Sequence, residues 1–317
     1  MTKKTGLISL LLIMMVVLSA CSSSVSSSDT NSPNDAEDSK LTVYASFYPI
    51  YDFTNKIAED FIDLKLIVPA GAEPHSFELS AKTLAELENA DLILLNGLDF
   101  EPWADSLPES LSSKIISLGE EVNPLPYVEH SHGEHEGEAE NSHSEYDPHI
   151  WLDPLRASQM SEIIYENLSK LDSTNKAVYE TNLKNLKDEF ITLDSEYKQL
   201  EAIQNKKEIV VSHNAFSYLG ERYGLEFHSL SGISPENEPS LKVLSEITDL
   251  VNKEGIRVLF FEELANDKII NTIADETGVE SDILYTIEGM TDDEINAGED
   301  YFSKMRLNLN KLKLAVE

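Results

Sequence analysis

Eight histidines are the residues of this chain best suited to coordination chemistry, and they fall in two kinds of surroundings. Five lie in YVEHSHGEHEGEAENSHSEYDPHIWLDP, residues 127–154. Of these, His130, His132, His135 and His143 sit in an acidic run rich in serine and glycine, whereas His149 sits in the tight DPHIWLDP. His75 follows the apolar run DLKLIVPA in GAEPHSFE, His213 directly follows EIVVS, and Glu262 directly follows IRVLFF. Three imidazoles and a carboxylate match the tetrahedral N/O preference of zinc. Each residue alone has a plainer role, as a turn cap, a helix N-terminal residue or a solvated acid. Four of them at the ends of apolar runs or, for His149, in the loop that follows such a run favour a site. His228 alternates within LEFHSLSG without a partner motif and reads as structural.

Those runs have the rhythm of strands separated by helices. LTVYAS (41–46), DLKLIVPA (63–70), DLILLNG (91–97) and SKIISLG (113–119) alternate with helical patterns, and the rhythm resumes at KEIVVSH (207–213), LEFHSLSG (225–232), IRVLFFEE (256–263) and SDILYTIEG. Strands alternating with helices predict parallel sheets covered on both faces, with ligands at the carboxyl ends of the strands. Between 155 and 204 the pattern is helical only. From Asn175 to Ile203 there is no glycine or proline, and Val178, Leu183, Leu186, Phe190, Leu193, Tyr197 and Leu200 recur at helical spacing. A helix over that span would be about 43 Å long at ~1.5 Å per residue, a rigid strut. The fold class expected is therefore α/β, two lobes with parallel-type sheets joined by a long helix.

The 317 residues carry 58 Asp+Glu against 24 Lys+Arg, a formal charge of −34, which argues against nucleic acid as a partner and for a self-repelling surface that attracts cations. Lys3 and Lys4 precede GLISLLLIMMVVLSA, an apolar run too short for a confident membrane span, which ends at Cys21, the single cysteine. LSAC resembles the lipobox of bacterial lipoproteins, which implies cleavage before Cys21 and acylation of that residue. The following SSSVSSSDTNSPNDAEDSK reads as a flexible tether. The expected organisation is a signal peptide over 1–20, a tether over 21–40, an N-terminal α/β lobe over 41–154 containing the acidic histidine-rich loop 129–144, a helical region over 155–206 and a C-terminal α/β lobe over 207–317. With one cysteine no disulfide is expected, and packing must supply stability.

PAGAEPHSFELS, DPHIWLDP, VVSHNAFSYLGERYGL, GISPENEPS, FFEELANDKIINTIADETG and IEGMTDDEINAGEDYFSKMRLNLNKL occur in this order over nearly the whole mature chain. The sequence resembles the metal-binding solute-binding lipoproteins of bacterial zinc and manganese ABC importers. The resemblance implies two α/β lobes joined by a rigid helix with the metal between them. It carries the ligand roles onto His75, His149, His213 and, by its distance from the LFF strand, Glu262 rather than Glu263. Histidine at the third position, glutamate at the fourth and the histidine-rich insertion resemble the zinc branch, since the manganese branch has a carboxylate at the third position and favours aspartate at the fourth. Expected with this are Zn2+ capture rather than catalysis, a membrane-embedded permease as partner, a lipid on Cys21 holding a monomer at the outer face of the membrane, and weak accessory binding by His130, His132, His135 and His143. Glu78, Asp147 and Asp153 are expected to orient the rings. Alternatives are a manganese or iron carrier of the same family, a zinc hydrolase and a surface adhesin.

Overall fold

The structure, a computed structural model, describes residues 40–127, 145–203, 208–264 and 267–317. The signal segment, Cys21, the tether and the four loop histidines lie outside the described residues. Four strands form the first sheet: β1 (Leu41–Ala45), β2 (Ile62–Leu66), β3 (Leu92–Leu95) and β4 (Ile115–Ser117), in the order β2-β1-β3-β4. Helix α1 (Tyr48–Ala58) crosses from β1 to β2 and α2 (Ala81–Leu87) leads into β3. All pairs are parallel, with Val43 opposite both Leu64 and Leu92. Every residue of β3 is buried, as expected of a central parallel strand covered on both faces.

Two helices follow, α3 (Pro154–Leu171) and α4 (Lys176–Tyr197). Pro154 opens α3, where the missing N–H costs nothing, and the Asp153 carboxylate caps it by accepting from Leu155 N and Arg156 N. Asp172 holds the turn between the helices, accepting from the Asn175 side chain and the Tyr179 hydroxyl, both at 2.7 Å. The second lobe repeats the first topologically. Strands β5 (Glu208–Val211), β6 (Glu226–Ser229), β7 (Val258–Phe261) and β8 (Glu280–Ile283) lie in the order β6-β5-β7-β8, all parallel. Helices α5 (Ser217–Tyr223), α6 (Leu241–Glu254) and α7 (Lys268–Thr277) connect them, and α8 (Asp292–Asn296) and α9 (Tyr301–Val316) complete the chain.

The expected strut is present but shorter. Helix α4 is about 33 Å long at ~1.5 Å per residue, and from Lys198 to Ala202 the chain tightens into a 3-10 turn, a common way to satisfy a helix's last carbonyls. Its buried face, Leu183, Leu186, Phe190, Leu193 and Tyr197, is the apolar stripe expected from the spacing. Phe190 meets Phe53 of α1 edge-on at 5.3 Å between centroids and also packs on Tyr301 and Phe302 of α9. The Tyr197 hydroxyl donates to Met305 O at 2.6 Å. Lys40–Glu317 is thereby one compact unit, with α4 seated on helices from both ends of the chain. Among the described residues no helix is long and apolar enough to cross a membrane. Replacing Phe190 with alanine removes a fully buried ring and is expected to cost roughly 3–5 kcal/mol; urea unfolding of the metal-free protein measures this, and a loss under about 1 kcal/mol would show that α4 is not held by this face.

Candidate metal centre

The carboxyl ends of the strands converge between the lobes. His75 sits in a short 3-10 turn, Pro74–Ser76, whose entry is fixed by Glu73 Oε1 accepting from His75 N at 3.0 Å. His149 caps a second such turn, Ile150–Leu152, and its backbone N–H donates to Asp147 Oδ1 at 2.9 Å. His213 lies two residues beyond β5 and Glu288 five beyond β8. One donor atom from each of His75, His149, His213 and Glu288 lies within 4.8 Å of all the others. His149 Nε2 and His213 Nε2 are 3.3 Å apart, and Glu288 Oε1 stands 3.4 Å from His149 Nε2 and 3.7 Å from the Nε2 of both His75 and His213. A tetrahedral ion with bonds of about 2.0–2.1 Å has donor–donor edges of about 3.3–3.4 Å, so these four atoms already outline such a shell.

The opposite edges of the rings are fixed as well. Asp147 Oδ1 is 2.8 Å from His149 Nδ1, and Glu262 Oε1 is 3.0 Å from His213 Nδ1, though out of line for a straight hydrogen bond. A carboxylate against Nδ1 holds the imidazole in the tautomer that presents a bare Nε2 to the centre. Phe100 packs edge-on against His75 at 4.8 Å and against Trp151 at 5.0 Å, closing one wall with apolar surface.

Three of the four expected ligands are thus brought together, and the fourth is not. Glu262 Oε1 accepts from Ser212 Oγ and from His213 N, which places the carboxylate behind the His213 ring. Glu288, in YTIEGM, stands with the three imidazoles instead. The rule that drew attention to His213, a polar residue just beyond a parallel strand, applies equally to Glu288. Its distance of five residues past β8 hid it. Among the three expected ring-orienting acids, Asp147 does orient His149. Asp153 instead caps α3 and pairs with Arg156 at 2.7 Å and Arg222 at 2.5 Å, and Glu78 is exposed. His228 lies on β6 beside Glu208, away from this centre.

The segment bearing Glu288 is held from both lobes. Thr286 N and Ile287 N donate to Glu263 at 3.2 and 3.0 Å, and Trp151 Nε1 donates to Thr286 O at 2.8 Å. Ile287 has φ +60°, strained for a β-branched residue and sustained by those bonds. Gly289 is next: a Cβ there would stand 3.1 Å from Leu264 Cδ1 and 3.5 Å from Ala72 O, so a side chain could enter only if Leu264 shifted slightly where this turn lies against the loop carrying His75.

A family model described as zinc-uptake complex component A, periplasmic, matches residues 43–315. The chain belongs to this family. It is 36% identical over 283 residues to the zinc-binding lipoprotein AdcA of Streptococcus pneumoniae, covering 88% of this chain but 56% of that protein. It therefore spans little more than half the length of that relative. To the high-affinity zinc uptake system protein ZnuA of Bacillus subtilis it is 33% identical over 290 residues, covering 90% and 91%. Among solved structures, the Zn(II)-bound ZnuA-like domain of Streptococcus pneumoniae AdcA superposes with a TM-score of 0.72 at 34% identity, over 87% of this chain and 99% of that one. The laminin-binding protein Lmb of Streptococcus agalactiae, described as bifunctional with adhesin and metal transporting activity, superposes at 0.75 and 32% identity, over 87% and 100%.

In this member of the zinc-uptake family the surroundings of the metal-free centre favour the protonated form of two of its three imidazoles. Burial opposes charge on His149, but Asp147 and Glu288 outweigh it and lift the imidazole to about 9; His213 is lifted in the same way by Glu262 and Glu288. Burial pulls His75 down, and Glu288 offsets only part of that. Burial alone would push Glu288 up, yet the imidazoles hold it well below the usual carboxylate range. Burial raises Glu73 to about 7 and Glu263 to about 8, Glu288 adding to both, and burial raises Glu101 to about 7.

Two predictions follow from this geometry. Glu262→Gln, which loosens a ring's outer partner, is expected to cost about 10–100-fold in zinc affinity, and Glu288→Gln, which removes a donor, more than that; competition with a chromophoric chelator ranks them, and the reverse ranking would return the ligand role to Glu262. The second concerns pH. Stability from the raised imidazoles is fully present below their ordinary pKa near 6.5 and is lost as pH rises through about 9. The raised carboxyls act with the same sign, because the folded state binds their protons more tightly than the unfolded chain does. The metal-free protein is therefore expected to melt at a higher temperature at pH 6.5 than at pH 9. The upward shift that zinc adds should grow over the same range, since binding displaces those protons. Melting curves in chelator and in excess zinc test both slopes, and a metal-free melting temperature that rises with pH contradicts the first.

Proposed function

We propose that this chain is an exported zinc-binding lipoprotein that captures Zn2+ with high affinity outside the membrane and delivers it to a cognate ABC permease. The observation that carries the reading is the group His75, His149, His213 and Glu288, four buried or nearly buried donors already near tetrahedral spacing. The family and the zinc-named relatives support it. Zn2+ is the cargo. It would bind three neutral imidazoles and one carboxylate, in competition with protons at His149 and His213, whose affinity for them is raised by neighbouring carboxylates. Four protein donors leave no open coordination position for a reacting water, which favours carriage over the hydrolase alternative. Three nitrogens against one oxygen favour zinc over manganese, which suits oxygen-rich sites. Under this reading the permease receives the ion from between the lobes, and a lipid on Cys21 keeps the carrier beside it.

Protein purified without added metal is expected to contain about one zinc per chain. Changing His213 to Glu exchanges a nitrogen for a hard oxygen and should lower the zinc-to-manganese affinity ratio, although zinc stays the tighter ligand by the Irving–Williams order. Competition titration reads the ratio, and an unchanged value would end the selectivity argument. The anchor is tested separately. A Cys21→Ser variant should move from the membrane fraction to the soluble exported fraction, and retention at the membrane would exclude the lipid.

A further inference from the structure

Strands β5 and β6 carry a second set of donors at the end away from His213. Glu208 and Glu226 are register partners in this parallel pair, so their side chains leave the same face of the sheet, and His228, two residues beyond Glu226, leaves that face too. His228 Nε2 lies 2.5 Å from Glu208 Oε2, and one donor atom from each of the three residues lies within 4.8 Å of the others. The side chains of His228 and Glu208 are 13% and 24% exposed, and Glu226 is exposed, so the cluster opens to solvent on one side.

An ion pair between His228 and Glu208 accounts for two of these residues and leaves the third. Two carboxylates directly across a strand pair repel, and one imidazolium can neutralise only one of them. Taken by themselves, these three side chains are net negative in either state of His228 while both acids are ionised. A divalent cation would cancel both carboxylates at once.

We propose that Glu208, Glu226 and His228 form a second, weaker divalent-cation site, with water completing the shell. One imidazole beside two carboxylates accepts zinc in preference to magnesium or calcium. The Glu208–His228 pair needs to open only to the edge of about 3.3 Å that a zinc shell requires. From Glu208 to His213 the chain advances five residues, about 16 Å at ~3.3 Å per residue, so the two sites cannot share an ion. The second is weaker because it offers three protein donors rather than four and stands half open to water. This inference does not rest on the transport reading.

The test uses the mature chain with His130, His132, His135 and His143 changed to Ala, so that loop binding cannot masquerade as the site. One equivalent of zinc fills the buried centre, and a second is titrated in by calorimetry while the His228 ring is followed by NMR. A second saturable zinc is expected, with the His228 resonances moving as it binds. His228→Gln keeps a polar group against Glu208 but removes the imidazole, and should abolish the second binding event. Glu226→Gln should weaken it about tenfold or more. Neither change should alter the first equivalent. A titration that ends at one zinc, a second zinc indifferent to His228→Gln, or one indifferent to Glu226→Gln would each overturn the three-donor assignment.

Discussion

A glutamate carboxylate only 2% exposed and faced by three imidazoles can exist only with positive charge beside it. Leaving such a charge buried and unpaired is among the most expensive arrangements a protein can adopt. Without metal, neighbouring carboxylates favour the protonated form of His149 and His213, and the three rings, His75 foremost, hold Glu288 below the usual carboxylate range. A divalent cation supplies positive charge better, because it satisfies all four donors at once. The remaining features of the centre serve this exchange. Asp147 and Glu262 fix the rings from behind, while Glu263 and Trp151 hold the strained turn that points Glu288 inward.

That arrangement needs loops from two sheets to meet, and the topology supplies them. Each lobe has its first strand inside and its second at the edge, so the carboxyl ends of both sheets can be turned toward one another. The contacts that fix the facing are polar and specific. Trp151 reaches Thr286, the Tyr301 hydroxyl donates to Trp151 O at 2.6 Å, and the Tyr218 hydroxyl donates to Asp147 O at 2.6 Å. Residues beside His149 are therefore bonded to the second lobe directly. Helix α4 is packed on both α1 and α9 and makes a poor hinge. A centre preorganised in this way loses little conformational freedom on binding, which favours affinity.

The strands, their parallel sense and the apolar stripe of α4 were legible because each rests on local periodicity, and Leu183, Leu186, Phe190, Leu193 and Tyr197 are buried as their spacing required. That His75, His149 and His213 come together was legible because unusual residue types stand at strand ends and in the loop after them. The place of Glu288 was not, since the sequence sets Glu262 only against Glu263. Glu262 and Glu288 are both glutamates beyond strands, and which one faces the centre is decided by Ser212 Oγ and His213 N drawing Glu262 behind the ring and by Glu263 shaping the 286–288 turn. Those are contacts between segments far apart in sequence. The repeated strand order of the lobes was likewise invisible, since topology can recur without recurrent residues. His228 reads as structural from its own segment, and its closeness to Glu208 and Glu226 comes from register across two strands, which no single motif displays.

Whether one zinc is held by three imidazoles and the Glu288 carboxylate is measured directly by anomalous diffraction at the zinc edge, from crystals of the mature protein loaded with one equivalent of zinc. One dominant peak is expected about 2.0–2.2 Å from the Nε2 atoms of His75, His149 and His213 and from a Glu288 oxygen. A dominant peak bound to Glu262, or one coordinated by fewer than three of these histidines, would contradict this coordination.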